Sequence, residues 1–413
     1  MPVIKAFDGY LVNPERAHEV VSPAYDSVSA EQRRLFADAH PDNFINTMRL
    51  REDFPTDARP SQSQLLEANS ERLQRLLANG SFDALADPCM FVYRLGSGDH
   101  IQTGVVCEVA VNDYEQGLLR KHENTNSSKE DLLAKYQEVV GASSSPICLT
   151  YRQDDAIDDF IGSVIKGTPD LDFPTDDGET QTIWRISDRH QLAQLRSLFE
   201  NIDETYVTDG HHRAASGCRY AEIMRDKRNS NTGDEPYNQL LVALFPDNQL
   251  NLLPFHRCVK DLNGLSVDQL LHALEKNFDI ESLGSQSSFA PARHGEFGMC
   301  VGDIWYRLST KAGCIDESHP VDSLDVSILQ DLILDPVLGI GDARDDARLG
   351  YIAGIGGDDI IEQTFKEGWA IVFTCFATSI KQLIGVADAS LLMPPKSTYF
   401  DPKPRSGIFV RLK

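Results

Sequence analysis

The stretch from Thr205 to Arg228 places a strand directly before a helix. Thr205–Thr208 is β-branched and aromatic, which is typical of a short strand. Asp209-Gly210 interrupts this run, and Ala214 to Arg228 is rich in residues that favour helices. A tight polar turn between a strand and a helix N-terminus therefore constrains the fold more than any other feature of the chain.

Such a turn is suited to binding an anion. The first turn of a helix has N–H groups without helical partners and a partial positive charge. Gly210 lets the backbone approach a phosphate closely, and His211, His212 and Arg213 add donors. Asp209 adds an acceptor or a metal ligand. The alternative is that Asp209 caps the helix and that the histidines are ordinary surface residues.

A second candidate segment is Lys121-His122-Glu123, which follows Arg120. Cations beside an imidazole and a carboxylate suit an anionic ligand and acid–base chemistry. The alternative is a solvated charged loop. The next helix is predicted to begin with a capping box formed by Ser127 and Glu130.

The third candidate segment is the proline-rich tail from Met393 to Gly407. Its prolines fix an extended loop, and several of its side chains carry positive charge or hydroxyl groups. These side chains are Lys396, Ser397, Thr398, Lys403 and Arg405. The alternative is a rigid terminal strap with solvated ends. We predict that the three segments converge on one pocket.

Composition limits the function classes. The formal charge of −24 argues against a nucleic-acid surface, which needs clustered Lys and Arg. No run approaches the roughly 18 to 20 apolar residues of a membrane helix. The eight cysteines are scattered without a Cys-x-x-Cys pair, and most have apolar neighbours, as free thiols of a reduced protein would. We therefore expect a cytoplasmic protein with a small-molecule substrate; a homodimer is left open.

The pattern along the chain predicts an α+β fold with mixed sheets and flanking α/β elements. We expect a mostly helical segment at 1–88, a central α/β domain at 89–262 and a C-terminal α/β segment at 263–413 whose strap returns to the site. Leu240–Phe245 and Leu250–Val259 flank Pro246-Asp-Asn and are predicted to pair as a hairpin. Gly354–Gly357 has part of a dinucleotide-binding turn, but without the full spacing or a convincing preceding strand, so we exclude a Rossmann fold.

The three candidate segments resemble segments of known families. Asp209–Ala214, Lys121–Glu123 and Met393–Lys403 together resemble the bacterial and archaeal family catalogued as domain of unknown function 1015, from Ile4 to about Val410. That family implies no general activity. A second, more distant resemblance covers Thr205 to Val259. Here the strand, the Asp209-Gly210 turn and the following helix, together termed the elbow, resemble the phosphate loop of the superfamily of ParB partition proteins, sulfiredoxins and free-serine kinases.

Within that superfamily, the kinase resemblance is preferred. The free-serine kinases share the Asp-Gly-His start, whereas sulfiredoxin has a reactive cysteine in the loop and this chain has His211. The resemblance implies a phosphotransferase that uses ATP or ADP and acts on a small hydroxyl-bearing metabolite such as serine. A regulatory ligand-binding protein and a phosphate-ester hydrolase are the alternatives. A complete Walker motif is missing from the sequence, which excludes an ordinary P-loop enzyme.

The predicted roles follow from phosphoryl-transfer chemistry, in which positioning and charge stabilisation matter most. Histidine and arginine would neutralise the transferring group, Glu123 would take the acceptor's proton, and Asp209 would bind magnesium. The predicted catalytic residues are Asp209, His211, His212, Glu123 and His122. The predicted cofactor-binding residues are Gly210, Arg213, Lys121, Lys396, Ser397, Thr398 and Lys403.

Overall fold

The computed structural model describes residues 2–23, 25, 29–228, 231–285, 288–354 and 357–413. Strands and helices intermix along these residues, and the sheets contain both parallel and antiparallel neighbours. The predicted α+β class with mixed sheets is confirmed. Among the described residues, no helix combines the length and the apolar character needed to cross a membrane.

The strands, in chain order, are β1 Tyr10–Val12, β2 Phe82–Ala84, β3 Met90–Ser97, β4 His100–Ala110, β5 Leu119–Arg120, β6 Ala142–Ser143, β7 Ile147–Tyr151, β8 Leu171–Pro174, β9 Thr180–Ile186, β10 Thr205–Asp209, β11 Gln239–Pro246, β12 Leu252–Leu253, β13 Phe255–Val259, β14 Phe278–Gly284, β15 Glu296–Val301, β16 Ile304–Thr310, β17 Leu349–Ala353, β18 Ile371–Cys375, β19 Tyr399–Phe400 and β20 Phe409–Leu412.

The α-helices, in chain order, are α1 Ala17–Val20, α2 Ala30–Ala39, α3 Gln62–Ala78, α4 Val111–Glu115, α5 Ser127–Val140, α6 Asp155–Val164, α7 Arg189–Phe199, α8 His211–Arg228, α9 Val267–Leu274, α10 Asp325–Leu329, α11 Gly357–Lys366 and α12 Ile380–Asp388.

The chain forms two compact units. Unit one comprises the residues up to Leu250 together with Pro402–Lys413, and unit two comprises Asn251–Asp401. Unit two is thus an insertion in the sequence of unit one. The boundaries predicted at 88/89 and 262/263 fall inside unit one and unit two, respectively.

Unit one is built on an eight-stranded sheet in the order β5-β10-β7-β11-β4-β3-β9-β8. Both faces of this sheet are buried, because successive residues of β11 enter different cores. Leu240 and Val242 pack into one core, and Leu241 and Ala243 pack into the other. A second sheet of unit one has the order β2-β1-β20-β6, so the returning C-terminal strand is paired on both sides.

Unit two contains a six-stranded antiparallel sheet in the order β14-β16-β15-β18-β13-β17 and a small β12-β19 sheet. Strand β17 precedes Gly354, so the expectation that no strand leads into 354–357 was wrong. It pairs antiparallel with β13, unlike the parallel strands of a dinucleotide-binding fold. Ile355 and Gly356 lie outside the described residues.

Two other local predictions were also wrong. Strand β11 pairs with β4 and β7, and β13 pairs with β17 and β18, so the predicted hairpin does not form. Its turn signal instead produces a 3₁₀ turn at Asp247–Gln249, just before the chain passes from unit one to unit two. The predicted capping box of Ser127 and Glu130 does not form either, because the N-cap of α5 is Asn126. The Asn126 side chain accepts hydrogen bonds from the amides of Ser128 and Lys129, at 2.9 and 3.3 Å.

Candidate functional site

The predicted strand–turn–helix elbow is present in unit one. Strand β10 ends at Asp209, and α8 begins at His211, three residues earlier than the helix-forming composition predicts. The amide of Ala214 donates to the Gly210 carbonyl at 2.9 Å and closes the first turn. His211, His212 and Arg213 therefore form that first turn, in which backbone N–H groups have no partner within the helix.

Gly210 adopts a conformation that side chains rarely tolerate. Its φ is +96°, and a Cβ atom at this position would lie 2.8 Å from Nε of Arg213. The guanidinium thus lies against the glycine backbone. Both the left-handed φ and this close approach require a residue without a side chain.

Asp209 lies between two cations. Its Oδ1 accepts a hydrogen bond from Nζ of Lys403 at 3.1 Å, and its Oδ2 pairs with Nη2 of Arg213. Nη1 of Arg213 also donates to the Pro146 carbonyl at 2.6 Å. Burial of the Asp209 carboxyl opposes its ionisation, but the charges of Lys403 and Arg213 outweigh burial and lower its pKa to about 2.

This donor set does not fit magnesium held by Asp209. Lys403 and Arg213 each contact one of its carboxylate oxygens, and their positive charges would repel a divalent cation at the same place. Across the described part of the chain, no group of three or more His, Cys, Asp or Glu side chains is arranged to hold a metal ion. The contacts of Asp209 therefore do not support its predicted magnesium-binding role.

Parallel pairing brings the second candidate segment to the elbow. Strand β5 runs parallel to β10 with Arg120 beside Tyr206, so the residues after β5 follow β10 towards its C-terminal end. The rings of His122 and His211 meet edge to face, with centroids 4.5 Å apart. Nδ1 of His211 lies 3.5 Å from Oε2 of Glu123. Two of the three predicted segments are thus in contact.

Both paired imidazoles are buried. Burial lowers the pKa of His122 to about 4, although a hydrogen bond with the Val207 carbonyl and the charge of Asp209 act in the opposite direction. Burial, together with the neighbouring His122 ring, lowers the pKa of His211 well below its ordinary value. Nε2 of His211 is buried and has no hydrogen-bond partner among the described residues.

The neighbouring charged residues are more exposed. Burial and the charge of Lys129 lower the pKa of His212, which is half-buried. Lys121 is exposed, with Nζ 5.3 Å from the centroid of the Tyr114 ring. Arg120, beside this segment, forms an ion pair with Glu204. Arg120 therefore supports the end of β5.

The C-terminal segment divides between the two units. Lys396, Ser397 and Thr398 belong to unit two. Nζ of Lys396 lies 5.3 Å from the centroid of the Phe255 ring, and the buried Ser397 hydroxyl donates to the Pro394 carbonyl at 2.7 Å. The convergence of these three residues with the elbow stays a prediction. Lys403 belongs to unit one and reaches the elbow through Asp209.

Arg405 is a structural residue, contrary to its predicted contact with an anionic ligand. Its side chain is 1% exposed, and it pairs with Asp177 at 2.5 Å and with Glu179 at 2.6 Å. These carboxylates already neutralise it. Sequence reasoning also missed the Pro146 carbonyl, which orients Arg213 and which no side-chain motif marks.

Comparison with solved structures gives distant likenesses. Free serine kinase in complex with AMP aligns at a TM-score of 0.36 and 11% identity, covering 74% of this chain and 91% of that one. A conserved hypothetical protein from Pyrococcus furiosus aligns at 0.35 and 11% identity, covering 73% and 93%. SbnI from Staphylococcus aureus with a C-terminal truncation aligns at 0.35 and 12% identity, covering 72% and 84%.

No curated protein matches the chain. Residues 4–327 match the family model described as a protein of unknown function, DUF1015. This match covers well over half of the sequence and includes the elbow and Lys121–Glu123. The chain belongs to the DUF1015 family.

Proposed function

We propose that the protein is a nucleotide-dependent phosphotransferase that acts on a small hydroxyl-bearing metabolite. ATP or ADP would be the phosphoryl donor, and serine is the first candidate acceptor, as the sequence resemblance implies. The observation that carries this proposal is the first turn of α8 at Gly210, flanked by Arg213, Lys403 and two neutral imidazoles.

A phosphate at this turn would meet several favourable groups. The N–H groups of the first turn and the helix dipole attract an anion, and Gly210 leaves the backbone uncovered by a side chain of its own. Arg213 uses N–H groups on Nη1 and Nη2 to hold Pro146 and Asp209, and a guanidinium has five N–H donors in all. Phosphate oxygens accept hydrogen bonds from such donors. In a chain of charge −24, such a concentration of cations favours a specific anion site.

We refer to the first turn of α8 at Gly210, with Arg213 and Lys403, as the phosphate seat. His211 and Glu123 supply acid–base groups beside this seat. The side chain of Glu123 is 46% exposed, so an acceptor hydroxyl can approach it from solvent. The hydroxyl oxygen would attack phosphorus while its proton passes to Glu123. The bond from phosphorus to the nucleotide oxygen would break, with its electron pair leaving on that oxygen. His211, 3.5 Å away, would orient the carboxylate.

Thermal shift with AMP, ADP and ATP tests the seat, because a ligand that binds the native state raises the melting temperature. Gly210→Ala is the test variant, and Gly80→Ala is its matched control. Gly80 has a φ of +81° but nothing within 4 Å of an added Cβ, so both variants incur similar backbone strain of roughly 1 to 2 kcal/mol. Only the change at Gly210 also moves the guanidinium of Arg213. We expect Gly210→Ala to lose the nucleotide-dependent shift and Gly80→Ala to keep it. A full shift in Gly210→Ala would contradict the proposed seat.

Phosphorus NMR of the protein with nucleotide and serine tests the reaction. Phosphoserine that accumulates as nucleotide is consumed supports the phosphotransferase. Nucleotide binding without a product would favour a non-enzymatic binding protein. Release of inorganic phosphate from phosphate esters without nucleotide would favour a hydrolase. A Glu123→Gln variant should retain nucleotide binding and lose most of the transfer rate, by the roughly 100-fold or more expected for a general base.

A further inference from the structure

Asp209 already occupies the place of an anion at the elbow. Its carboxylate contacts Lys403 and Arg213, whose side chains are only 10% and 30% exposed. The same guanidinium lies against Gly210 and is anchored on the Pro146 carbonyl. The cations of the proposed phosphate seat are thus neutralised from within the protein.

We propose that the Asp209 carboxylate is the internal counter-ion of the seat and that a ligand phosphate replaces it on Arg213 and Lys403. This inference rests on the proposed function, because it describes how the same seat accepts its ligand. It assigns Asp209 a role distinct from the catalytic and metal-binding roles that its sequence context predicts.

Electrostatics supports the replacement. Carboxylate and phosphate oxygens offer a guanidinium the same kind of paired acceptors, so they compete for the same donors. Two anions held side by side on these cations would repel each other strongly at a site with little exposure to water. If Asp209 were absent and nothing replaced it, both cations would lose a carboxylate partner, which is costly where exposure to water is limited. A carboxylate that fills the seat in the absence of ligand resolves both difficulties.

The affinity for a ligand is therefore lowered by the cost of displacing Asp209. The cations lower the pKa of Asp209 from 3.8 to about 2. This difference corresponds to about 60-fold in binding if the carboxylate gave up its cations entirely. The Asp209 side chain is 21% exposed, so solvent compensates part of the loss. We expect removal of its charge to tighten anion binding about tenfold.

Sulfate is the probe, because it is a tetrahedral dianion that does not titrate near neutral pH. Its dissociation constant is measured by calorimetry at pH 7 for the full chain, for Asp209→Asn and for Asp131→Asn. Asp131 of α5 pairs with Arg219 of α8, so its change removes one negative charge near the same helix without touching the seat. We expect Asp209→Asn to bind sulfate about tenfold more tightly and Asp131→Asn to match the wild type within about twofold.

The outcomes separate this inference from the proposed function. If the wild type binds sulfate and Asp209→Asn binds it equally or more weakly, the counter-ion role is wrong and the seat stands. An equal gain in Asp131→Asn would attribute the effect to net charge and would also overturn the inference. If all three proteins fail to bind sulfate and ADP, the seat and the inference fail together. Asp209→Ser, with a smaller neutral side chain, replaces Asp209→Asn if the amide does not fold.

Discussion

Replacing Lys403 by methionine tests the charge balance of the elbow through protein stability. Methionine keeps much of the apolar stem and removes the ammonium group that lies 3.1 Å from Oδ1 of Asp209. The pKa of Asp209, lowered from 3.8 to about 2, corresponds to about 2 kcal/mol of stability at neutral pH. Arg213 provides part of this, and the carboxylate is 21% exposed, so we expect Lys403→Met to cost about 1 to 2 kcal/mol.

The destabilisation caused by Lys403→Met should decrease as the pH falls. Because the folded pKa of Asp209 is depressed, the unfolded chain binds the proton first as the pH falls. The stability from this ion pair is therefore complete above about pH 4 and is lost as the pH approaches 2. The difference in stability between wild type and Lys403→Met should shrink over the same interval.

The assay is urea unfolding of a double-mutant cycle with Asp209→Asn. Trp184 lies in unit one, whereas Trp305 and Trp369 lie in unit two. A common background of Trp305→Phe and Trp369→Phe makes Trp184 the reporter of unit one, and the cost of that background cancels between the four proteins. Lys403→Met should cost less in the Asp209→Asn background than in the background that retains Asp209. An equal cost in both backgrounds would refute the ion-pair reasoning.

The two remaining predictions concern buried charges. Because burial lowers the pKa of His122 to about 4, its imidazole should remain neutral at pH 5.5 in long-range ¹H–¹⁵N NMR spectra. As the pH falls, the unfolded chain binds a proton at His122 before the native protein does. The native protein should therefore also lose stability between pH 6.5 and pH 4. A His122 ring that titrates near 6.5 would contradict its burial. Arg405→Met should destabilise unit one by about 3 kcal/mol, because it removes a buried guanidinium that pairs with Asp177 and Glu179. The control is Arg34→Met, which breaks a more exposed ion pair with Asp38. It should lower the free energy of unfolding by less than about 1 kcal/mol in the same urea assay. Equal losses in the two variants would show that the Arg405 ion pairs contribute little.

The elbow was predictable because its determinants are local. β-Branched residues before Asp209, a glycine that tolerates positive φ and helix formers after it all lie within one short stretch. The proximity of Lys121–Glu123 to the elbow was predicted from the complementary chemistry of the two segments. No periodicity in the sequence indicates that β5 is parallel to β10.

The remaining features depend on pairings between distant residues. Lys403 and Asp209 are 194 residues apart, and nothing near either position marks the other as its partner. Arg405 looks like any cation of a basic tail, since only the folded chain shows that Asp177 and Glu179 enclose it. The false hairpin arose in the same way: the turn signal after β11 was read correctly, but its strand partners are β4 and β7.

The insertion of unit two has a consequence for folding during synthesis. Ribosomes make the chain from its amino terminus, so all of Asn251–Asp401 is available before Pro402–Lys413 is translated. Unit two can therefore form while unit one still lacks β20, Arg405 and the ammonium group that pairs with Asp209. In a growing chain the Asp209 carboxylate can pair with Arg213 but lacks its second cation until Lys403 arrives. The proposed seat would then become competent only after the domain that interrupts it has been made.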